Sequence, residues 1–311
     1  MSRKSYVTLA ASTDISESDE LSLTWRYRLA RARQWLVRCR SRQQAERLFT
    51  DVEAPTVLSR PFAGGQLYLD VSRSILHQML YLEGERLIQE RYMLRRLLRA
   101  GMRVVDIGAN IGYYVLLVDN IIGPTGHITA IEPSPENVVE LKKNILNNQL
   151  KNVSLIDCAV GAHDGRVGLR TGINSGVVDI AEGAYSTALC PLDCLISDRV
   201  DFVKIDVDGY EGLVLDGSRK VLERHRPILF LELHPLLVQR HGSSIRGIVE
   251  FLSSIYSSIT FFDVPEVMSL AHKCLVRYGF RDCVRQVNLR HLTEEDMHRG
   301  RVFGTFWAVC R

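Results

Sequence analysis

The sequence lacks the marks of most specialised protein classes. Its seven cysteines stand at 39, 158, 190, 194, 274, 283 and 310. An odd, scattered set excludes a disulfide framework. Cys190-x3-Cys194 is half of a metal site at most, and no CxxC or nearby His pair completes it, so buried thiols are expected. No run approaches the roughly 18 apolar residues of a membrane span. The first residues, Met1 to Thr8, carry no apolar h-region, and a cytoplasmic location is expected. The G-x-S-x-G elbow of a serine hydrolase is missing, and no internal repeat is visible. Charge of one sign is also scarce: the net value is +3, and the excess sits in residues 1–50, with 10 Lys/Arg against 5 Asp/Glu. The remainder is close to neutral, so no nucleic-acid partner is expected.

What is present suits one large α/β domain with an appendage. Residues 1–22 are polar, Ser-rich and acidic and read as a disordered tail. A basic helical extension follows over 23–63. Within it, residues 25–47 hold eight Arg and one Glu, and Trp25, Leu29, Ala32 and Leu36 recur at helical spacing. That stripe suits packing on the main domain, or a peripheral membrane contact. From 64 to 311 the chain reads as a single domain with core 101–263, insert 264–301 and final strand 302–310. Gly64 to Val71 reads as a turn and short strand, with helices at 73–82 and 85–100. Short apolar strands at 102–106, 127–132, 153–158, 201–205 and 227–232 alternate with helices at 111–122, 135–148, 210–224 and 244–257. This rhythm predicts a parallel sheet covered on both faces. Between 159 and 200, six glycines punctuate short β-like pieces in place of a crossover helix. A strand at 259–263, a helical insert at 265–278 and an antiparallel edge strand at 302–310 complete the reading.

The chemistry concentrates at the strand tips. Met102-Arg-Val-Val-Asp106 runs directly into Ile107-Gly-Ala-Asn-Ile-Gly112, a strand–glycine turn–helix unit in which backbone can approach a ligand closely. A dinucleotide site wants G-x-G-x-x-G; here the spacing is Gly108-x-x-x-Gly112. Asp106 would repel a pyrophosphate and suits a cationic ligand, such as the sulfonium and amino group of S-adenosylmethionine. The second strand ends in Glu132, 24 positions after Gly108, where a carboxylate can accept from both ribose hydroxyls. The third ends at Asp157, which can accept from an adenine amino group.

At these residues the sequence resembles the FkbM-type methyltransferases. The matching pieces are Asp106-Ile-Gly-Ala-Asn-Ile-Gly-Tyr113, Ala130-Ile-Glu-Pro133, Asn144 to Asn148 with Val153, Ala159-Val-Gly161, Pro191-Leu-Asp193, Val203-Lys-Ile-Asp-Val-Asp-Gly-Tyr-Glu211 and Arg226-Pro-Ile-Leu-Phe-Leu-Glu232. The likeness runs from about 65 to 240. It departs from the family pattern at Asp208, where Glu is usual. The resemblance implies a class I methyltransferase fold: a mostly parallel, Rossmann-like seven-stranded sheet with an antiparallel last strand. It also implies methylation of oxygen, with hydroxyls of sugars or small natural products as acceptors. The cofactor-binding set then comprises Asp106, Gly108, Ala109, Asn110, Gly112, Tyr113, Glu132, Pro133, Asp157, Ala159 and Asp206.

The fourth strand places Asp206 at its tip, with Asp208 and Glu211 just beyond; Glu232 and His234 end the fifth strand beside it. These five form the expected catalytic set. Methyl transfer to a hydroxyl needs alignment and a proton acceptor. His234 has the better unperturbed pKa for that task, and Asp206 the better family warrant. Asp206 and Glu211 can instead cap the following helix or orient loops, and Lys204 reads as a structural residue of the helix layer. The acids are of a kind that hold Mg²⁺, but no metal is expected. No Asn/Asp-Pro-Pro-aromatic motif follows the fourth strand, which argues against base or amide nitrogen as the acceptor, and no Pro-Cys pair supports a covalent route to cytosine. Two alternatives stay open: a cofactor-binding scaffold without catalysis, and a membrane-recruited enzyme acting on a lipid-linked glycan.

Overall fold

The computed structural model describes residues 47–49, 54–84, 86, 88–170, 177–178, 183–264, 285–287 and 305–311. The expected tail over 1–22, the basic segment 25–47 apart from its last residue, and the helical insert at 265–278 lie outside these. Strands β1 (Val57–Phe62) and β2 (Gly65–Asp70) form an antiparallel hairpin. The end of the stretch expected to be helical is therefore a strand. Helices α1 (Ile75–Glu83) and α2 (Ile88–Leu97) follow.

The main sheet begins with β3 (Arg103–Ile107), α3 (Tyr113–Ile122), β4 (His127–Ile131), α4 (Pro135–Asn147) and β5 (Val153–Ile156). A separate small sheet holds β6 (Ala159–Val160), β7 (Gly165–Leu169), β8 (Val177–Val178) and β9 (Tyr185–Cys190), in the order β6-β9-β7-β8. This is the glycine-punctuated interval. After the short α5 (Leu192–Leu195), the main sheet resumes with β10 (Phe202–Ile205) and β11 (Ile228–Leu233). Between them the single helix expected at 210–224 is two, α6 (Glu211–Asp216) and α7 (Arg219–His225). They part at Gly217, where a Cβ would stand 1.9 Å from the Gly161 carbonyl oxygen. The chain closes with α8 (Pro235–Val238), α9 (Ile245–Ile255), β12 (Ile259–Val264), β13 (Arg285–Val287) and β14 (Thr305–Cys310).

The main sheet has the order β13-β12-β14-β11-β10-β3-β4-β5. The run β11-β10-β3-β4-β5 is parallel; β14 is antiparallel to both its neighbours, β11 and β12, so β12 points the same way as the run. This is the Rossmann-like sheet of a class I methyltransferase with one short strand added, among the described residues. The last strand is antiparallel as expected, but it is not an edge: β14 lies between β11 and β12, with β13 outermost. A parallel sheet buried on both faces needs two covers. On one side, α3 is apolar nearly all round because it packs under the hairpin and α2, in a core with Phe62, Leu67, Leu69 and Leu94. On the other, α9 buries Ile245, Ile248, Leu252 and Ile255, one helical stripe, and Ser244 caps it by accepting from the Gly247 N–H at 3.0 Å.

The hairpin is fixed to α4 by two amides. Asn144 Oδ1 accepts from the Tyr68 N–H at 2.8 Å and its Nδ2 donates to the Tyr68 carbonyl at 3.1 Å. Asn148 brackets Gln66 in the same way, at 2.7 Å each. Each side chain thus stands in for a neighbouring strand along β2.

Candidate active site

The strand tips of β3, β4 and β10 open on a cavity of about 710 Å³. The glycine turn forms one wall. The Gly108 and Ala109 N–H groups donate to the Ile131 carbonyl at 2.9 and 3.0 Å, which folds the turn over β4. Gly108 has φ +84°, and a Cβ there would stand 1.9 Å from the Asp206 carbonyl oxygen. Only glycine allows the turn to pass so close to β10. Asn110 takes a left-handed φ of +51° and donates its N–H to Glu132 Oε2 at 2.8 Å. Glu132 Oε1 accepts from the Ser134 N–H and from Asn137 Nδ2. Burial raises the Glu132 carboxyl above its ordinary value, although these donors favour the anion.

Gly108, Ala109, Asn110, Tyr113, Glu132, Pro133, Ala159, Asp206, Asp208 and His234 all border this one cavity. Five of the expected residues do not. Asp106 is 1% exposed and faces away. Its β10 neighbour in register is Lys204, and residues paired across a ladder point to the same face. That face is the α3 layer, where Lys204 Nζ stands 3.6 Å from Asp106 Oδ1, 3.4 Å from Asp206 Oδ2 and 4.3 Å from the centre of the Tyr114 ring. Asp106 therefore does not meet a cationic ligand directly. Gly112 starts α3 and donates its N–H back to Ala109. Asp157 is exposed just past β5, and Cys158 and Ala159 line the wall instead. Glu211 and Glu232 are buried behind the cavity.

Behind the wall lies a cluster of charge that sequence reasoning foresaw only in part. Asp206 is held by Arg86 Nη1 at 3.2 Å and by Lys204, both on Oδ2. Burial raises its carboxyl, but Lys204, Arg86 and His234 outweigh this and keep it well below the usual carboxylate range. Asp206 is thus a fixed anion and a weak base. His234 Nδ1 donates to Glu211 Oε1 at 2.6 Å, and Glu211 also accepts from the Gly209 N–H at 3.0 Å. Glu211 is a positioning residue for the ring. Burial opposes charging of His234, but Glu211, Asp206 and Glu232 push it up to about 9, so without another cation the ring is protonated at neutral pH. The advantage expected of His234 as a neutral-pH base is removed. Burial and the neighbouring Asp206 raise Asp208, which borders the cavity with its Oδ1 3.6 Å from His234 Nε2.

Arg86 and Glu90 were not foreseen. Both come from the segment before the sheet, and Glu90 is fully buried against this cluster. Burial pushes its carboxyl up to about 7 despite Arg86 and Lys204, and Glu232 is likewise raised well above the ordinary value by burial and by Asp206 and Glu90. An acid in a helix of ordinary amphipathic pattern and a base just before it gave no signal separable from a solvated face.

The parallel sheet, the glycine turn and the acidic strand tip define the fold of the class I, S-adenosylmethionine-dependent methyltransferases. The family model of the methyltransferase FkbM domain matches residues 106–261, half of the chain, and the chain belongs to that family. A curated protein-L-isoaspartate O-methyltransferase from Methanothrix thermoacetophila is 36% identical over 59 residues, 19% of this chain and 28% of that one. A crystal structure of methyltransferase FkbM from Methylobacillus flagellatus aligns at 16% identity and TM-score 0.42, over 74% of this chain and 52% of the other. Fibrillarin from Aeropyrum pernix, crystallised with S-adenosylmethionine, aligns at 14% identity and TM-score 0.37, over 71% and 74%. The chain thus spans about half of the FkbM structure and under a third of the curated relative. The residues present fit the cofactor of the class. The turn at Gly108 leaves no room for a Cβ, and the Glu132 carboxylate borders the cavity beside the apolar wall of Cys158, Ala159 and Val160.

Proposed function

We propose that this protein is an O-methyltransferase that moves the methyl group of S-adenosylmethionine to a hydroxyl of a sugar or small natural product. One observation carries the reading. The glycine turn with Glu132, and the polar end with Asp206, Asp208 and His234, border a single continuous cavity. A cofactor on the turn and an acceptor against the polar end would then meet in one enclosed space, where alignment and exclusion of water supply much of the acceleration.

The cofactor supplies a methyl group activated on sulfonium. The chain's own part is to hold the cofactor, orient the acceptor and take a proton. Glu132 and the turn are assigned to the ribose side, with Cys158 and Ala159 beside the base. Asp208 takes the hydroxyl proton: it reaches the cavity and is a stronger base than the tightly paired Asp206. Ile75, Leu76, Met79 and Leu80 from α1 line the same cavity and suit an acceptor with an apolar body.

The test is transfer of a labelled methyl group into a panel of hydroxylated sugars and aglycones, with the product located by mass spectrometry. Asp208→Asn should lower kcat by about 10²–10⁴-fold while leaving S-adenosylhomocysteine affinity intact. Methyl found on nitrogen would overturn the O-transfer reading. Tight cofactor binding with no transfer to any acceptor would favour the scaffold reading.

A further inference from the structure

The charge cluster at and behind the polar end of the cavity holds more acids than the methyl-transfer reading uses. Six acids, Glu90, Asp106, Asp206, Asp208, Glu211 and Glu232, gather near two permanent cations, Arg86 and Lys204. Within this group, ligand atoms of Asp206, Glu232 and His234 all lie within 4.8 Å of one another. From this geometry we infer a binding site for one divalent metal ion on these three residues.

Three observations support it. First, His234 has the arrangement of a metal-ligating imidazole. Its Nδ1–H donates to Glu211 Oε1 at 2.6 Å, and Glu211 is itself fixed by the Gly209 N–H. That carboxylate–imidazole pair orients the ring and leaves the other nitrogen, Nε2, between Asp208 Oδ1 at 3.6 Å and Glu232 Oε1 at 3.8 Å. A metal there takes the lone pair that a proton otherwise holds. Second, Glu232 is 2% exposed and lies against the buried Glu90 carboxyl, and its Oε2 accepts from no backbone, amide, Arg or Lys donor, so the two acids need a shared proton or a cation between them. A buried carboxylate oxygen without a donor is costly unless a cation meets it. Third, Arg86 and Lys204 both engage Oδ2 of Asp206, leaving Oδ1 for another partner.

One imidazole with two carboxylates favours a borderline ion such as Mn²⁺, Fe²⁺ or Zn²⁺ over Mg²⁺ or Ca²⁺, which prefer oxygen alone. Asp206 and His234 border the cavity, so the open coordination positions would face the acceptor. A hydroxyl oxygen placed there would be oriented and acidified. The site stands apart from the choice of acceptor, because metal binding is read without turnover.

The test is titration of the full-length, chelator-treated protein with Mn²⁺, in the presence of S-adenosylhomocysteine, following loss of the free-ion electron paramagnetic resonance signal. One ion should bind per chain. Glu232→Gln and His234→Gln should each weaken it more than tenfold. Glu211→Gln should weaken it about 10–100-fold by releasing the ring, and Asp164→Asn, at an exposed carboxylate outside the cavity, should change it less than threefold. Retained S-adenosylhomocysteine affinity in each variant shows that the fold is kept. No bound Mn²⁺ at 1 mM, or equal affinity in the folded Glu232→Gln and His234→Gln variants, overturns the site.

Discussion

Replacing Lys204 with Met isolates the contribution of the ion cluster to folding. Lys204 is 1% exposed and stands between Asp106, also 1% exposed, and Asp206. Both Asp106 oxygens lack a hydrogen-bond partner, so Lys204 is the charge that compensates that carboxylate. Asp206 keeps Arg86 at 3.2 Å. Methionine fills similar volume without charge. Removing one member of a buried pair costs about 3–5 kcal/mol, because the other charge is left unmatched. At roughly 2–4 °C per kcal/mol for a chain of this order of size, Tm should fall by roughly 6–20 °C. The second half of the argument is a rescue. Adding Asp106→Asn to Lys204→Met removes the orphan and should recover at least about 2 kcal/mol, since uncharged replacements of a buried pair are often neutral. Calorimetry or urea titration of the parent, both single variants and the double variant closes the cycle. The reasoning fails if Lys204→Met melts within 2 °C of the parent, or if Asp106→Asn adds its own cost to the Lys204→Met background.

Further outcomes follow from the turn and from α1. Gly108→Ala places a methyl group against the Asp206 carbonyl at a φ of +84°, so S-adenosylhomocysteine affinity by calorimetry should drop at least tenfold; a change under twofold would show that the close approach is not needed. Glu132→Gln keeps the shape but turns one acceptor into a donor beside the Asn110 N–H, and should weaken the same ligand about tenfold; unchanged affinity would remove Glu132 from the cofactor site. Burial lowers the pKa of His77, whose Nδ1 donates to the Asp70 carbonyl at 2.9 Å. A depressed folded value means that the unfolded chain binds the proton better, so this contribution to stability is present above about pH 6.5 and lost as pH falls through the folded pKa. Urea midpoints between pH 7.5 and 5 should fall less steeply in His77→Asn; parallel slopes would exclude His77 as the source.

Much of the fold was legible because its signals are local. A five-residue apolar strand, a glycine turn and an amphipathic helix repeat along the chain, and the five parallel strands fall within one or two residues of where the alternation put them. The place of β14 was not legible, since sequence gives strand character but not neighbours; pairing on both sides made it interior. Asn144, Asn148 and Asp193 stood out in the sequence, but their work is structural. The two amides bind β2, and Asp193 accepts the Lys220 and Val221 N–H groups at the start of α7.

For the site, sequence alone determined the turn. The spacing Gly108-x-x-x-Gly112 and the acid at Glu132 are contiguous chemistry, and a backbone that must pass within touching distance of the next strand requires glycine whatever surrounds it. What tertiary structure decided is which acids face the ligand. Asp106 and Asp206 share one face of the sheet and both meet Lys204, but Asp106 lies within β3 and is buried under α3, whereas Asp206 stands just past the end of β10 and borders the cavity. Arg86 and Glu90 join them from more than a hundred residues before Asp206, and the protonation of Asp206 and Glu232 depends on those distant neighbours. Coulomb interaction and desolvation act through space, so they fix the protonation of Asp206, Glu232 and His234 only once the chain has folded.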